Sequence, residues 1–195
     1  AEAHGARVYL LSQDFGGRSI RAGTEQRFDY QGIGRSWEGL TIRLAGRYQV
    51  DNACLALAAL ECLGEEFIVE EAAVRRGLAE ARWEGRLELV SRKPDLFLDG
   101  AHNPASARTL VATVRELKPG YDRLILVIGI LADKDVRGML SELLPVADDV
   151  IVTRPEYSRA MDLPSLAAEV RRMHGSVREA PTVGRAIEEA RSKAQ

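Results

Sequence analysis

The stretch that decides the fold is Asp99-Gly100-Ala101-His102-Asn103-Pro104. It follows the apolar run Leu96–Leu98, and apolar residues recur at helical spacing between 110 and 117. This pattern predicts a turn that joins a buried strand to a helix. Such turns hold ligands in α/β proteins, because a helix N-terminus offers unpaired amide groups and the carboxyl end of a strand opens into a crevice.

Strand and helix patterns alternate on both sides of this turn. Strands are predicted over 87–90, 96–98, 124–128, 150–152 and 176–178, and helices over 105–117, 136–144, 164–173 and 184–194. The apolar run 124–128 is typical of a central parallel strand that is covered on both faces. The fold class is therefore α/β, with a Rossmann-like, open, mostly parallel sheet that has helices on both faces.

The upstream residues have a different pattern. Short strands are predicted over 8–11, 27–30 and 40–44, separated by glycines such as Gly16 and Gly17 that are predicted turn residues. These strands indicate a meander, and helices are predicted over 52–63 and 69–78. Residues 1–82 are interpreted as the tail of a larger α/β domain, and residues 83–195 as a second domain.

Composition excludes several classes of function. The 195 residues carry a formal net charge of -2 with both signs interspersed, which predicts no nucleic-acid or membrane surface. No apolar run reaches the ~20 residues that a membrane helix needs. Cys54 and Cys62 are spaced too far apart for a disulfide, so they are predicted to be core residues of a reduced, cytoplasmic protein.

Asp99 and His102 are the first candidate binding residues. A carboxylate at this position of an α/β sheet can accept hydrogen bonds from both ribose hydroxyls, and an imidazole at the helix entrance would lie near phosphate oxygens. The structural alternative makes Asp99 a helix N-cap or turn residue and His102 an exposed turn residue. Asn103-Pro104 is predicted to close the turn and start the helix.

Two further polar turns follow predicted strands. In the first, Asp133 and Asp135 flank Lys134 and could present its ammonium to an anionic substrate; the alternative is a solvated run of charges that caps a helix. The second turn runs from Thr153 to Arg159 and includes Ser158. Three polar turns at one edge of a sheet favour a cleft there.

Gln49 and Asn52 are candidates for contact with an adenine edge, because residues three apart at a helix start share a face. Capping would equally explain Asp51 or Asn52. Arg86 could reach phosphates that a neighbouring domain holds, or it could be an ordinary surface arginine. The sequence has no Gly-x-x-x-x-Gly-Lys-Ser/Thr phosphate loop, no Gly-x-Gly-x-x-Gly, no zinc-type Cys/His spacing and no Gly-x-Ser-x-Gly.

Four stretches together resemble the folylpolyglutamate synthase and dihydrofolate synthase family of the Mur ligase superfamily. They are Leu-Ala-Gly-Arg-Tyr-Gln-Val-Asp-Asn-Ala at 44–53, Trp-Glu-Gly-Arg-Leu-Glu at 83–88, Leu-Asp-Gly-Ala-His-Asn-Pro at 98–104 and Asp-Lys-Asp at 133–135. They occur in the family's order, and the stretch 98–104 is the most diagnostic of them.

The resemblance implies an ATP-dependent ligase that joins L-glutamate to dihydropteroate or to (tetrahydro)folate through an acyl phosphate, with Mg²⁺. It implies a monomer whose partners are small molecules, with the remnant of a central ATP-binding domain at 1–82 and a glutamate ligase domain at 83–195. The expected ATP-binding residues are Gln49, Asn52, Arg86, Asp99 and His102. The expected substrate-binding residues are Asp133, Lys134, Ser158 and Arg159, and Lys134 and His102 are the expected catalytic residues.

Some positions depart from the family's pattern. Tyr48 stands where the family usually has His, and Glu84 where it usually has Pro. The family's phosphate loop, magnesium ligands and modified lysine are expected in an N-terminal region, and its closing strand and helix after Gln195. We therefore expect the 195 residues to be an interior part of a ligase that is inactive alone. The alternatives are a peptidoglycan-precursor amino-acid ligase of the same superfamily and a non-catalytic nucleotide-binding module.

Overall fold

The computed structural model describes residues 5–21, 23–64 and 67–194. The chain divides into two compact units, Ala1–Glu88 and Leu89–Gln195. Each unit has a hydrophobic core of its own. No helix in the described ranges is long and apolar enough to cross a membrane.

The first unit is built on a three-stranded antiparallel sheet. Its strands are β1 (Gly16–Arg21), β2 (Gln26–Gln31) and β3 (Ser36–Ile42), in that order. The predicted meander is therefore present, but the predicted strand 8–11 is wrong. Leu11 makes only an isolated bridge to Phe15, because the Asp14 carboxylate accepts the Leu10 amide at 2.7 Å and the chain turns back here.

Two helices complete the first unit: α1 (Arg47–Cys62) and α2 (Glu71–Glu80). Helix α1 begins well before its predicted start at Asn52, because Gly46, with φ of 97°, turns the chain into the helix. The buried Gln26 amide donates to the carbonyls of Leu44 and Gly46, each at 2.8 Å, and fixes this entrance.

Gly17 allows α1 to pack closely on β1. A Cβ at this position would lie 2.7 Å from Cys54 Sγ and 2.7 Å from Val50 Cγ1. The prediction that Gly16 and Gly17 form a turn is wrong, since both lie in β1. Cys54 is buried as predicted, but Cys62 is exposed, because eight residues rotate a helical side chain by about 80° away from the core.

The described residues from Glu88, the last residue of the first unit, to 194 form two sheets and four α-helices. A two-stranded sheet pairs β4 (Glu88–Ser91) with β5 (Leu96–Leu98), and a parallel sheet has the order β6 (Ile125–Ile128), β7 (Asp149–Thr153), β8 (Val177–Ala180). The helices are α3 (Pro104–Leu117), α4 (Val136–Leu143), α5 (Leu163–Met173) and α6 (Val183–Lys193).

Helices cover both faces of the parallel sheet. Val150 and Val152 of β7 pack into a core that includes side chains of α3, α4 and α5, whereas Ile151 packs with Ala186 and Ala190 of α6. This alternation follows from the two-residue period of a strand. The α/β fold class predicted from the sequence is confirmed.

The strand order corrects two predictions. The strand at 124–128 was predicted to be central, but β7 is central and fully buried, while β6 lies at one side of the three strands. An apolar run indicates only that a strand is covered on both faces. Strand β6 is also covered on both faces, by α6 on one side and by the opposite helix layer on the other, although it is not central. In addition, β5 pairs with β4 rather than joining the parallel ladder.

Candidate functional site

Three polar turns follow strands β5, β6 and β7 of the second unit. They are residues 99–104, 129–135 and 153–159. Each begins at the carboxyl end of its strand, and the first two lead into the N-termini of α3 and α4. Carboxyl ends of strands and N-termini of helices are where α/β sheets bind anionic ligands.

Glycines bring neighbouring turns into contact. Gly138, in the first turn of α4, lies so close to Pro104 that a Cβ would be 2.7 Å from Pro104 Cγ. A Cβ on Gly129 would be 2.5 Å from Pro155 Cδ. The Gly129 contact joins the turns 129–135 and 153–159, whereas the Gly138 contact joins the start of α4 to the start of α3. The prediction of three turns at one edge of a sheet is corrected, because the turn 99–104 follows β5, which pairs with β4 and not with the parallel sheet.

Asp99 and His102 lie on the first turn. Asp99 Oδ1 accepts the Ala101 amide at 2.8 Å, which makes it a turn residue and not the helix N-cap. His102 is exposed, and its Nδ1 lies 3.0 Å from the Gly100 carbonyl oxygen, a contact that orients the ring. The ring stands directly before the N-terminus of α3, where the helix dipole favours negative charge.

Asn103 is the N-cap of α3. Its side-chain Oδ1 accepts a hydrogen bond from the backbone N–H of Ser106 at 2.8 Å, and Ser106 Oγ accepts one from the backbone N–H of Asn103 at 3.2 Å. The pair therefore forms a capping box. Pro104 occupies the first turn, where its missing N–H leaves nothing unpaired. The prediction that Asn103-Pro104 starts the helix is confirmed.

Lys134 lies beside one carboxylate and not two. Its Nζ is 3.3 Å from Asp133 Oδ2, whereas Asp135 Oδ1 accepts the Gly138 amide at 2.9 Å and caps α4. The prediction of an ammonium held between two carboxylates is therefore corrected: helix capping takes the second one. Partial burial would raise the pKa of Asp133, but the hydrogen bond from Lys134 and the charges of Arg159 and Lys134 hold that pKa below its ordinary value.

Arg159 joins the second and third turns. Its Nη1 donates to Asp133 Oδ2 at 2.9 Å, and its Nη2 donates to the Tyr157 hydroxyl at 3.2 Å. Ser158 lies on the same turn and is exposed. The structure thus unites Asp133, Lys134 and Arg159 in one cluster; it also adds Tyr157, which the sequence signalled only as an aromatic residue beside an arginine in a polar turn.

Gln49 and Asn52 lie in the first unit. They share a face of α1 as predicted, since Asn52 Nδ2 donates to Gln49 Oε1 at 3.0 Å. Gln49 is buried and Asn52 is exposed. The alternative that Asp51 or Asn52 caps the helix is wrong, because the N-cap is Gly46 and makes no side-chain cap bond.

Arg86 lies on a turn of the first unit that precedes β4. Its Nη1 is 3.5 Å from the Gly85 carbonyl oxygen, and the Gly85 amide donates to Glu88 Oε2 at 2.9 Å.

Across the described ranges, no three His, Cys, Asp or Glu side chains form a group that could hold a metal ion. The described residues therefore offer no cluster of three protein ligands for Mg²⁺.

Residues 85–195 match the family described as Mur ligase, glutamate ligase domain. The dihydrofolate synthase/folylpolyglutamate synthase of Mycobacterium tuberculosis is 37% identical over 172 residues, which are 86% of this chain and 35% of that protein. The chain therefore spans about a third of the length of this curated relative.

Two solved structures show how far the likeness extends in three dimensions. Mycobacterium tuberculosis folylpolyglutamate synthase complexed with ADP and AMPPCP superposes with a TM-score of 0.90 at 35% identity, covering 98% of this chain and 44% of that one. A bifunctional folylpolyglutamate synthase/dihydrofolate synthase with Mn, AMPPNP and L-glutamate bound has a TM-score of 0.81 at 27% identity, covering 100% and 44%. Because the family match spans more than half of the residues and the superposition nearly all of them, the chain belongs to the folylpolyglutamate synthase and dihydrofolate synthase family of the Mur ligase superfamily.

Proposed function

We propose that this chain is part of an ATP-dependent ligase that joins L-glutamate to dihydropteroate or to (tetrahydro)folate. The observation that carries the proposal is the placement of His102 directly before α3 and of Lys134 directly before α4, whose first turn packs against Pro104 of α3, with Arg159 bound to Asp133 beside Lys134. Fixed cations and helix N-termini at one edge suit a reaction in which negative charge accumulates. The names of the relatives supply the acceptor class and the amino acid.

The proposed chemistry has two steps. A carboxylate of the acceptor attacks the γ-phosphorus of ATP, which releases ADP and forms an acyl phosphate. The amine of glutamate then attacks the acyl carbon, phosphate leaves, and an amide bond remains. Lys134 lies near the glutamate or the acyl phosphate in this assignment and stabilises its charge, with Ser158 beside the substrate. No residue of the chain forms a covalent intermediate.

Contacts with ATP are proposed for five residues. Gln49 and Asn52 present an amide pair suited to an adenine edge. Asp99 accepts from the ribose hydroxyls, and Arg86 and His102 meet phosphate oxygens.

The family is expected to bind the phosphates of ATP with a phosphate loop, and the 195 residues contain no Gly-x-x-x-x-Gly-Lys-Ser/Thr motif. We therefore propose that a phosphate loop and the Mg²⁺ ligands come from a further region, and that the 195 residues alone show no turnover. ATP, glutamate and the pterin acceptor are the proposed partners, and the ligase is a cytoplasmic monomer.

His102→Ala tests the proposal in the intact ligase. Loss of a charge-assisted bond to phosphate is expected to lower kcat/KM for ATP by about 10- to 100-fold, because such bonds contribute about 1.5–3 kcal/mol. The free energy of unfolding should change by less than about 0.5 kcal/mol, because the ring is exposed. Initial rates with dihydropteroate, tetrahydrofolate and a peptidoglycan-precursor acceptor decide the substrate.

His174→Ala is the matched control, since this histidine makes its backbone contacts elsewhere in the second unit, with Ser176 and Ala147. It should keep the wild-type rate. Turnover with only the peptidoglycan-precursor acceptor would transfer the proposal to that branch of the superfamily. An equal loss of stability and rate in His102→Ala would restore the simple turn-residue interpretation.

A further inference from the structure

The turns 129–135 and 153–159 are fixed to each other through the backbone. The Ala132 amide donates to the Arg159 carbonyl at 2.8 Å, the Met161 amide donates to the Ile130 carbonyl at 2.9 Å, and Leu131 forms an antiparallel bridge with Ala160. These links join residues 130–132, which directly precede Asp133, to residues 159–161, which begin at Arg159. The side chains that meet here therefore start from backbones with a defined spacing.

One carboxylate oxygen is shared by two cations. Asp133 Oδ2 lies 3.3 Å from Lys134 Nζ and 2.9 Å from Arg159 Nη1. Lys134 carries its charge on a flexible four-carbon chain, so a fixed partner is needed to keep the ammonium in one place. Two cations on one carboxylate also leave a net positive charge that favours an anionic ligand.

Tyr157 holds Arg159 from the other side. The guanidinium carbon lies 5.3 Å from the centre of the Tyr157 ring, and Nη2 donates to the hydroxyl at 3.2 Å. Tyr157 is itself fixed in its turn, because its amide donates to the Pro155 carbonyl at 2.8 Å and its carbonyl accepts the Ala160 amide at 2.9 Å. A stacked and hydrogen-bonded guanidinium keeps its planar orientation.

We propose that Tyr157 and Arg159 are positioning residues for Lys134 and act through the shared carboxylate of Asp133, so that the ammonium meets a carboxylate of the incoming amino acid. This inference rests on the proposed function, in which Lys134 lies near glutamate. Asp133 and Arg159 were expected from the sequence to contact the substrate. Because their charged groups form an ion pair with each other, both are assigned here to positioning.

The first test is steady-state kinetics of the intact ligase. Arg159→Ala and Tyr157→Leu are each expected to raise KM for glutamate on the order of tenfold, with KM for ATP changed less than about twofold. Tyr157→Phe keeps the ring under the guanidinium and loses only the hydroxyl bond, so its KM should stay nearer to wild type. Arg137→Ala is the matched control, because it removes another exposed arginine–carboxylate pair, with Glu169 at 2.9 Å.

The second test separates positioning from direct contact. If Arg159 acts only through Asp133, adding Arg159→Ala to Asp133→Asn should raise KM for glutamate no further. If the increases in KM caused by the two substitutions multiply in the double variant, the arginine contacts the substrate itself, and the inference is overturned. In the 195-residue chain, ¹⁵N NMR should show that the Arg159 guanidinium protons exchange with solvent faster in Asp133→Asn than in the wild type, with no change in Arg137→Ala.

The outcomes distinguish the inference from the proposed function. Normal glutamate addition with an unchanged KM in Arg159→Ala overturns the positioning role and leaves the ligase assignment standing. No glutamate addition to any folate or pteroate acceptor by the wild-type ligase overturns both, even where the NMR exchange pattern agrees with the hydrogen bonds described above.

Discussion

The single hydrogen atom that serves as the side chain of Gly17 sets how closely α1 approaches β1. The atoms that a Cβ would meet, Cys54 Sγ and Val50 Cγ1, belong to side chains buried in the core of the first unit. Gly17→Ala should therefore lower the free energy of unfolding by about 1–3 kcal/mol, the usual effect of overpacking. Urea unfolding followed by tryptophan fluorescence measures it, since Trp37 and Trp83 both belong to the first unit.

Gly16→Ala provides the control for this substitution. The nearest atom to a Cβ at Gly16 is the Ser12 nitrogen, at 3.7 Å, so the methyl group fits. Because alanine restricts the unfolded chain more than glycine does, Gly16→Ala should be neutral or stabilising by up to about 1 kcal/mol. Equal midpoints for the two variants would show that α1 does not pack on Gly17 as described.

At the scale of an element, the start of α3 depends on Asn103. Asn103→Ala removes the cap of the Ser106 amide and should cost about 1 kcal/mol of unfolding free energy. Asn103→Asp keeps a good capping oxygen and should retain most of the stability. Chemical denaturation followed by far-UV circular dichroism compares the two. If Asn103→Ala keeps its stability but loses ATP affinity in the intact ligase, Asn103 is a ligand-binding residue and not a cap.

Most elements of the second unit could be predicted because their apolar periodicity and capping residues agree. Helices α3 to α6 differ from their predicted bounds only at their ends, where Asn103, Asp135, Asp162 and Thr182 accept amides of the first turn. In the first unit the same rules failed where glycines serve close packing and a positive φ. Gly17 was mistaken for a turn, and the first turn of α1 behind Gly46 was missed.

At the scale of the whole molecule, acid should act unequally on the two units. Among the described residues, carboxyl groups with a lowered pKa in the second unit are Asp133, Asp148, Asp149, Asp162 and Glu169, and in the first unit Asp29. For Asp149, the hydrogen bond from Lys193 is the largest cause of the lowered pKa, and the side chain is buried at the start of β7.

A carboxyl group whose pKa is lower in the folded than in the unfolded state stabilises the folded state when the pH is above its unfolded pKa. That contribution is lost as the pH falls through its folded pKa. The second unit should therefore lose stability more steeply than the first as pH falls below about 4. Far-UV circular dichroism reports on both units, whereas tryptophan fluorescence reports on the first. As the pH falls, the urea midpoint measured by circular dichroism should therefore decrease more than the midpoint measured by fluorescence. Asp149→Asn should make the circular dichroism midpoint less dependent on pH. Urea unfolding curves from the two probes that coincide at every pH would contradict the prediction.

The sequence by itself determined the α/β class, the order of the elements after residue 83, the start of α3 and the three polar turns. These depend on residues that are near neighbours in the chain, through periodicity and capping. The motif at 98–104 also indicated the Mur ligase superfamily, and residues 85–195 match its glutamate ligase domain.

Only the tertiary structure decided which strand is central, that Asp135 caps α4 while Asp133 is shared by Lys134 and Arg159, and that Tyr157 holds the arginine. Asp133 and Arg159 lie 26 residues apart in the chain and meet across two turns. No local pattern specifies such a meeting, because it results from the order of the strands and from the close packing that Gly129 permits against Pro155.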